Sequence, residues 1–235
     1  IGSIGLAIEN FKKAILINQD YAEAKYNLGV AYQKTNQLDS AAQYYELAIN
    51  AQHVYPTAHN NLGIIYLTKG LIDQAVKCFE WAIAYSPNYA EAHNNLGSAF
   101  QELKQFENAK KEFEKAVYIN ANYAQAFHNL GILCEIINLP KEAIIHYEKS
   151  IEINPEFAEA YRNLSKIKKY KKKDPQIPQI LSLYSSENLN LADKARLGFA
   201  LAYINEDLGN NDEYFKYLNE GNRLRKDEIN YSFDD

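Results

Sequence analysis

A three-residue string, Asn-Leu-Gly, returns four times in this chain with an unchanging stride. It occurs at Asn27-Leu28-Gly29, Asn61-Leu62-Gly63, Asn95-Leu96-Gly97 and Asn129-Leu130-Gly131, with the same interval between every copy and the next. A fifth copy, Asn163-Leu164-Ser165, keeps the step but carries Ser for Gly. An aromatic recurs in phase at Tyr21, Tyr55, Tyr89, Tyr123 and Phe157, and an alanine at Ala7, Ala41, Ala75, Ala109 and Ala143. A period of this length is the signature of a repeat architecture, in which each unit buries its apolar side only against its neighbours.

Within one period the apolar residues fall into two helical runs. Ala92, Leu96 and Phe100 are spaced as on one face of a helix. Lys104-Gln105 interrupts, and Ala109, Phe113, Ala116 and Val117 resume the pattern. Two short amphipathic helices joined by a polar turn make a helical hairpin. Gly70 and Asn138 stand at that turn, where a left-handed conformation is cheap for those residues. Pro87 and Pro155 follow the second helix and stop it. Glycine inside a helix costs about 1 kcal/mol against alanine, so four glycines at one register position imply a steric need there. The predicted fold is all-α: a right-handed superhelical solenoid of antiparallel hairpins.

The residues that carry the period, Leu-Gly followed by aromatic, Ala, aromatic, Ala and Pro, resemble the tetratricopeptide repeat. The tryptophan common early in that motif is replaced by Lys25, His59, His93, Phe127 and Tyr161. The resemblance implies the second helix of a truncated repeat at 1–21 and full repeats at 22–55, 56–89, 90–123 and 124–157. A fifth, diverged hairpin is expected at 158–191, completed by a short helix through Ile177, Ile180, Leu181 and Tyr184. A sixth, with a C-terminal tail, is expected at 192–235. There Tyr214 and Gly221 stand where alanine is usual, so its packing must differ. The chain starts with Ile in mid-pattern, which reads as a piece of something longer.

The segment with Asp174-Pro175-Gln176-Ile177, Gly198-Phe199-Ala200-Leu201, Asp207-Leu208-Gly209 and Asn219 to Arg225 resembles the linker of bacterial tetratricopeptide–sulfotransferase proteins. That resemblance implies a catalytic domain beyond Asp235, preceded by a phosphosulfate-binding loop that these residues do not contain.

The chain itself carries no recognisable catalytic motif. Its ten glycines match neither G-x-x-x-x-G-K nor G-x-G-x-x-G. The five histidines show no metal-ligand spacing, so no metal and no cofactor are expected. Cys78 and Cys134 both fall on apolar repeat positions and read as buried thiols, a usage that fits a reducing compartment such as the cytoplasm. A formal net charge of −5 argues against general nucleic-acid binding. No run approaches the length of a membrane span. Trp81 reads as a packing residue. Between 158 and 173 seven basic residues face one acid. That run is either a site for phosphate, sulfate or another anionic partner, or a solvated helix end whose lysines complement the dipole.

The leading candidate for function is the asparagine ladder Asn27, Asn61, Asn95, Asn129 and Asn163. Stacked hairpins bring one such residue per repeat onto one inner face, and an amide both donates and accepts. A similar ladder is found in the repeat domain of O-linked N-acetylglucosamine transferase, which these repeats resemble. The ladder either grips the backbone of an extended peptide or protein partner, or bonds a neighbouring helix. Asn60, Asn94, His128 and Arg162 are expected beside it on the groove face, followed by Val30, Ile64, Ser98, Ile132 and Lys166. The Lys/Asn/Lys/Arg set with which chaperone-type repeats clamp a terminal carboxylate is not matched. Self-association through the N-terminal helix is a further expectation.

Overall fold

A computed structural model describes residues 2–231, with side chains for 4–228. Ile1 and the tail 232–235, assigned above to the first and last repeats, lie outside the described residues. Thirteen helices and no strand occur among those described: α1 (Gly2–Ile17), α2 (Ala22–Lys34), α3 (Leu38–Ala51), α4 (Pro56–Thr68), α5 (Ile72–Tyr85), α6 (Ala90–Glu102), α7 (Phe106–Ile119), α8 (Ala124–Ile136), α9 (Pro140–Ile153), α10 (Ala158–Ile167), α11 (Gln176–Tyr184), α12 (Leu191–Asp207) and α13 (Asn211–Tyr231). The chain forms two compact units that part between Ala121 and Asn122. In each, helices pack against their sequence neighbours, as an all-α repeat fold requires.

The turns inside the hairpins are tight because one residue in each takes positive φ. Asn36 (58°), Gly70 (73°), Lys104 (58°), Asn138 (61°) and Gly209 (73°) fill this place. Gly and Asn tolerate the left-handed region; Lys104 does so against the clash of its own β-carbon. Pro87 and Pro155 follow the helix ends at Tyr85 and Ile153.

The repeated glycine is explained by what lies over it. A β-carbon on Gly29 would stand 2.8 Å from the Tyr45 ring, one on Gly63 2.6 Å from Phe79, and one on Gly97 2.7 Å from Phe113. Gly131 lies in the same way against Tyr147. The aromatic comes from the second helix of the same hairpin, always at the same register, and sinks into the notch that the missing side chain leaves. Tyr45, Phe79, Phe113 and Tyr147 are thereby buried almost completely, each contributing about 1.5–3 kcal/mol of apolar burial. With Ala41, Ala75, Ala109 and Ala143, all fully buried, they form the floor of each hairpin.

The second unit departs from this plan after α10. The helix that packs against α10 is α12, while the short α11 rests on α12. The expected pairing of α10 with α11 is thus replaced, and the reason is visible at the repeat positions. Ser165 stands where the notch glycine would be. Leu181, at the register position of the notch aromatic, is exposed rather than inserted. Without a notch and an aromatic to fill it, α11 does not seat on α10 as the second helix of a repeat seats on its first. Its one fully buried residue, Ile180, joins Tyr161 and Leu164 of α10 and Leu197 and Leu201 of α12 in a shared core.

The last pair, α12 and α13, crosses through glycine on both sides. A β-carbon on Gly198 would lie 3.5 Å from the Gly221 α-carbon. The packing therefore does differ from that of the repeats, with backbone meeting backbone. Asn190 caps α12 by accepting the Asp193 amide at 2.8 Å, and Asp174 accepts the Gln176 amide at 3.0 Å before α11.

Candidate functional site

Each ladder asparagine is half-buried on a first helix, and several reach back to the preceding hairpin. The Asn61 amide donates to the Tyr26 hydroxyl at 3.1 Å and to the Tyr45 hydroxyl at 3.4 Å. Asn95 donates to Asn60 Oδ1 at 2.9 Å, and Asn163 meets His128 Nε2 at 3.0 Å. The partners Tyr26, Asn60 and His128 each stand 35 residues before the asparagine they meet. Asn129 accepts from Gln125 at 3.0 Å. Of the two readings of the ladder, bonding to a neighbouring helix is present in the structure, and it consumes amide donors that a peptide would otherwise use.

The neighbouring positions split. Asn60 (0% exposed), Asn94 (4%) and His128 (1%) are buried rather than open to a groove. Their polar atoms serve the hairpin stack: Asn60 also donates to Glu91 Oε1 at 3.4 Å. Arg162 remains half-exposed, its guanidinium 5.7 Å from the Phe199 ring centre. Val30, Ile64 and Ile132 pack against the core clusters, and Lys166 is exposed.

The polar network follows the identity of the notch aromatic. Where it is tyrosine, the hydroxyl is bonded: Tyr45 donates to Gln33 Oε1 at 2.7 Å and Tyr147 donates to Glu135 Oε1. Burial pushes both phenols well above their usual range. Where it is Phe79 or Phe113 there is no hydroxyl to satisfy. Every buried side-chain polar atom described has a partner, as native interiors require.

Histidine replaces the motif's tryptophan twice, and both rings pack. His93 has one ring nitrogen 2.6 Å from Glu112 Oε2 and the other 3.0 Å from the Pro87 carbonyl oxygen. Burial works to raise the Glu112 carboxyl, but hydrogen bonds from His93 and Lys115 outweigh it and hold it below the usual range. His59 lies against Trp81 and Tyr85, with ring centroids 6.4 and 5.7 Å away. Burial lowers the pKa of His59 and of His128.

Trp81 departs from expectation. It is 53% exposed, stacked on Tyr85 at 5.6 Å, and rims a groove of about 430 Å³ floored by Ile49, Leu62 and Cys78. Its place on the outward side of α5 could not be read from spacing alone, because helical apolar spacing is shared by packed and rim residues. Cys78 and Cys134 are both buried thiols as expected, and burial lifts Cys78 to about 12, which suppresses the reactive thiolate.

The basic run is divided by the end of α10 at Ile167. Lys168 pairs with Glu148 and Asp174, both at 3.1 Å, and Lys169 pairs with Asp207 at 2.7 Å. Tyr170 is buried between them, its amide donating to Asp207 Oδ2 at 3.0 Å. Part of the run therefore staples a loop to α12. Lys171, Lys172 and Lys173 remain exposed. Among the described residues no group of three or more acids, histidines or cysteines is placed to hold a metal, and no helix is long and apolar enough to cross a membrane.

Comparison with known proteins agrees with this architecture. Tetratricopeptide-repeat profiles match residues 88–156 and 22–52, and a TPR-repeat profile matches 1–36 and 65–104. Together they span more than half of the chain, which therefore carries tetratricopeptide repeats. No curated protein sequence matches.

Among solved structures, Pseudomonas aeruginosa PilF is similar at TM-score 0.70 and 20% identity, over 86% of this chain and 91% of its own. YrrB, described as a TPR protein with an unusual peptide-binding site, gives 0.57 and 21%, over 94% and 95%. MamA gives 0.53 and 22%, over 87% and 98%. At these identities the likeness is one of fold.

Proposed function

We propose that the chain is a binding scaffold for an extended peptide or protein segment, engaged along the first helices of the hairpins. The observation that carries this reading is the asparagine ladder. Five amides recur at one register position, half-exposed, and bonds to the preceding hairpin fix the direction of Asn61, Asn95 and Asn163. Amides held in place before a ligand arrives lose little freedom on binding it. Their second valences suit the repeating donors and acceptors of a peptide backbone. Asn60, Asn94 and His128 act in this reading from behind, by orienting the ladder, whereas Asn27 and Arg162 would meet the partner directly. The fold admits such a role, since YrrB has a peptide-binding site.

The test begins with a displayed peptide library panned on the chain. A selected peptide is then titrated by calorimetry into wild type and into Asn27→Ala with Asn163→Ala. Affinity should fall by about tenfold or more, corresponding to loss of about two modest hydrogen bonds. Equal affinity for a variant that circular dichroism shows to be folded would remove the ladder as a gripping device.

A second reading has the scaffold deliver protein or peptide substrate to a sulfotransferase domain of the same polypeptide. It is supported by the sequence of the C-terminal segment. A phosphate-binding loop encoded within a few tens of residues downstream of Asp235 would favour it, and a stop codon would favour an independent adaptor.

A further inference from the structure

Helices α10, α12 and α13 enclose a small cavity of about 250 Å³ whose wall includes Arg162, Arg196 and Arg225 together with Glu159, Glu228 and Phe199. All of it lies beyond residue 156, where the repeat profiles end, so it belongs to the diverged part of the second unit and not to the repeats. We propose that this cavity is a carboxylate-binding pocket, receiving an acidic side chain or the C-terminal carboxylate of a peptide. The assignment rests on the composition and geometry of the pocket and does not require the ladder to bind anything.

The wall sets three guanidiniums against Glu159 and Glu228, and Asp193 beside Arg196 brings the carboxylates to three, so the pocket is charge-balanced. A monoanion meets less repulsion from Glu159 and Glu228 than a phosphate dianion does. Arg196 is paired with Asp193 at 3.1 Å. Neither Arg162 nor Arg225 has a carboxylate within ion-pair distance among the described residues, so their forks are available to a ligand. A guanidinium offers two parallel N–H donors that match a carboxylate's two oxygens.

The pocket is also preset. The Arg162 guanidinium lies over the Phe199 ring at 5.7 Å, and that ring is held in turn by the close approach of Gly221. A β-carbon there would stand 3.1 Å from the ring. An arginine stacked on a ring that cannot retreat has already lost much of its rotamer freedom. The volume suits a carboxyl group on a short stem, being below that of pockets for drug-sized ligands.

The test follows the arginine Nε–Hε signals of the whole chain by NMR while three probes are added separately at low salt. These are N-acetylglutamate amide for a side-chain carboxylate, N-acetylalanine for a chain terminus, and inorganic phosphate. At least one carboxylate should shift the Arg162 and Arg225 signals along a saturable curve, more tightly than phosphate does. The arm that saturates first names the source. Arg225→Ala should weaken it by about tenfold, and Arg162→Lys, which keeps the charge but loses the fork, should weaken it similarly. Shifts that remain linear, tighter binding of phosphate, or unaltered affinity in both folded variants would each overturn the pocket.

Discussion

The Phe113 ring covers Gly97 so closely that a β-carbon on residue 97 would stand 2.7 Å from it. Alanine at this position gains about 1 kcal/mol of helix propensity but forces the ring and its helix apart, an overpacking that costs about 1–3 kcal/mol. Gly97→Ala is expected to destabilise the first unit by up to about 2 kcal/mol in urea unfolding. Adding Phe113→Leu to it should cost less than the sum of the two single changes, because the residues share one contact.

The notch aromatics should resist exchange in both directions, to different degrees. Tyr147→Phe removes a hydroxyl that donates to Glu135 and should cost about 1 kcal/mol. Phe79→Tyr places a hydroxyl at the register of Leu67, where the other repeats have the acceptors Gln33 and Glu135, and leaving it unsatisfied costs about 1–3 kcal/mol. Thermal unfolding of both variants would check the ordering. A stabilised Phe79→Tyr would show that another partner is at hand.

Acid should weaken the fold in two stages. Burial lowers the His128 pKa below its ordinary 6.5, so as pH falls through 6.5 the unfolded chain takes up protons that the folded chain resists. Stability is full above 6.5 and is lost as pH drops toward the lowered folded value. Protonation would also remove the Nε2 acceptor used by Asn163. Glu112, held below its ordinary 4.5, adds a further loss below 4.5 for the same reason. Urea midpoints measured from pH 7.5 down to about 3 should decline, first below 6.5 and again below 4.5. His128→Gln should flatten that decline while lowering stability at neutral pH.

Lys104 sits with φ at 58° in a turn where its counterparts are Asn36, Gly70 and Asn138. It is exposed and has no reason of packing to be strained. Lys104→Gly relieves about 1–2 kcal/mol of backbone clash against a smaller loss of chain entropy, for a net gain of about 0.5–1 kcal/mol. An unchanged or lower melting temperature would contradict it.

The regular part of the molecule was legible because the same contact is made again and again. A glycine at 29, 63, 97 and 131, answered at one constant offset by an aromatic at 45, 79, 113 and 147, states the notch and its plug in the sequence. The substitution of Ser165 in the fifth copy already marked the place where the plan breaks. That α10 turns to α12 for its partner was not legible, since it depends on which of two apolar faces α10 can seat. The ladder showed its register but not its loyalties. Spacing puts Asn61 and Asn95 on one face, yet only coordinates show that their donors serve Tyr26, Tyr45 and Asn60. The arginine pocket draws on residues from 159 to 228 and left no local motif to find.

Greasy surfaces slide over one another at little cost, whereas a directed N–H···O bond tolerates small offsets only. By reaching back to Asn60, Asn95 keeps its hairpin from slipping a helical turn against the one before. Asn163 does the same through His128. Each unit therefore has a fixed stride, and a partner touching two successive hairpins must present its own contacts at that spacing or forgo one of them.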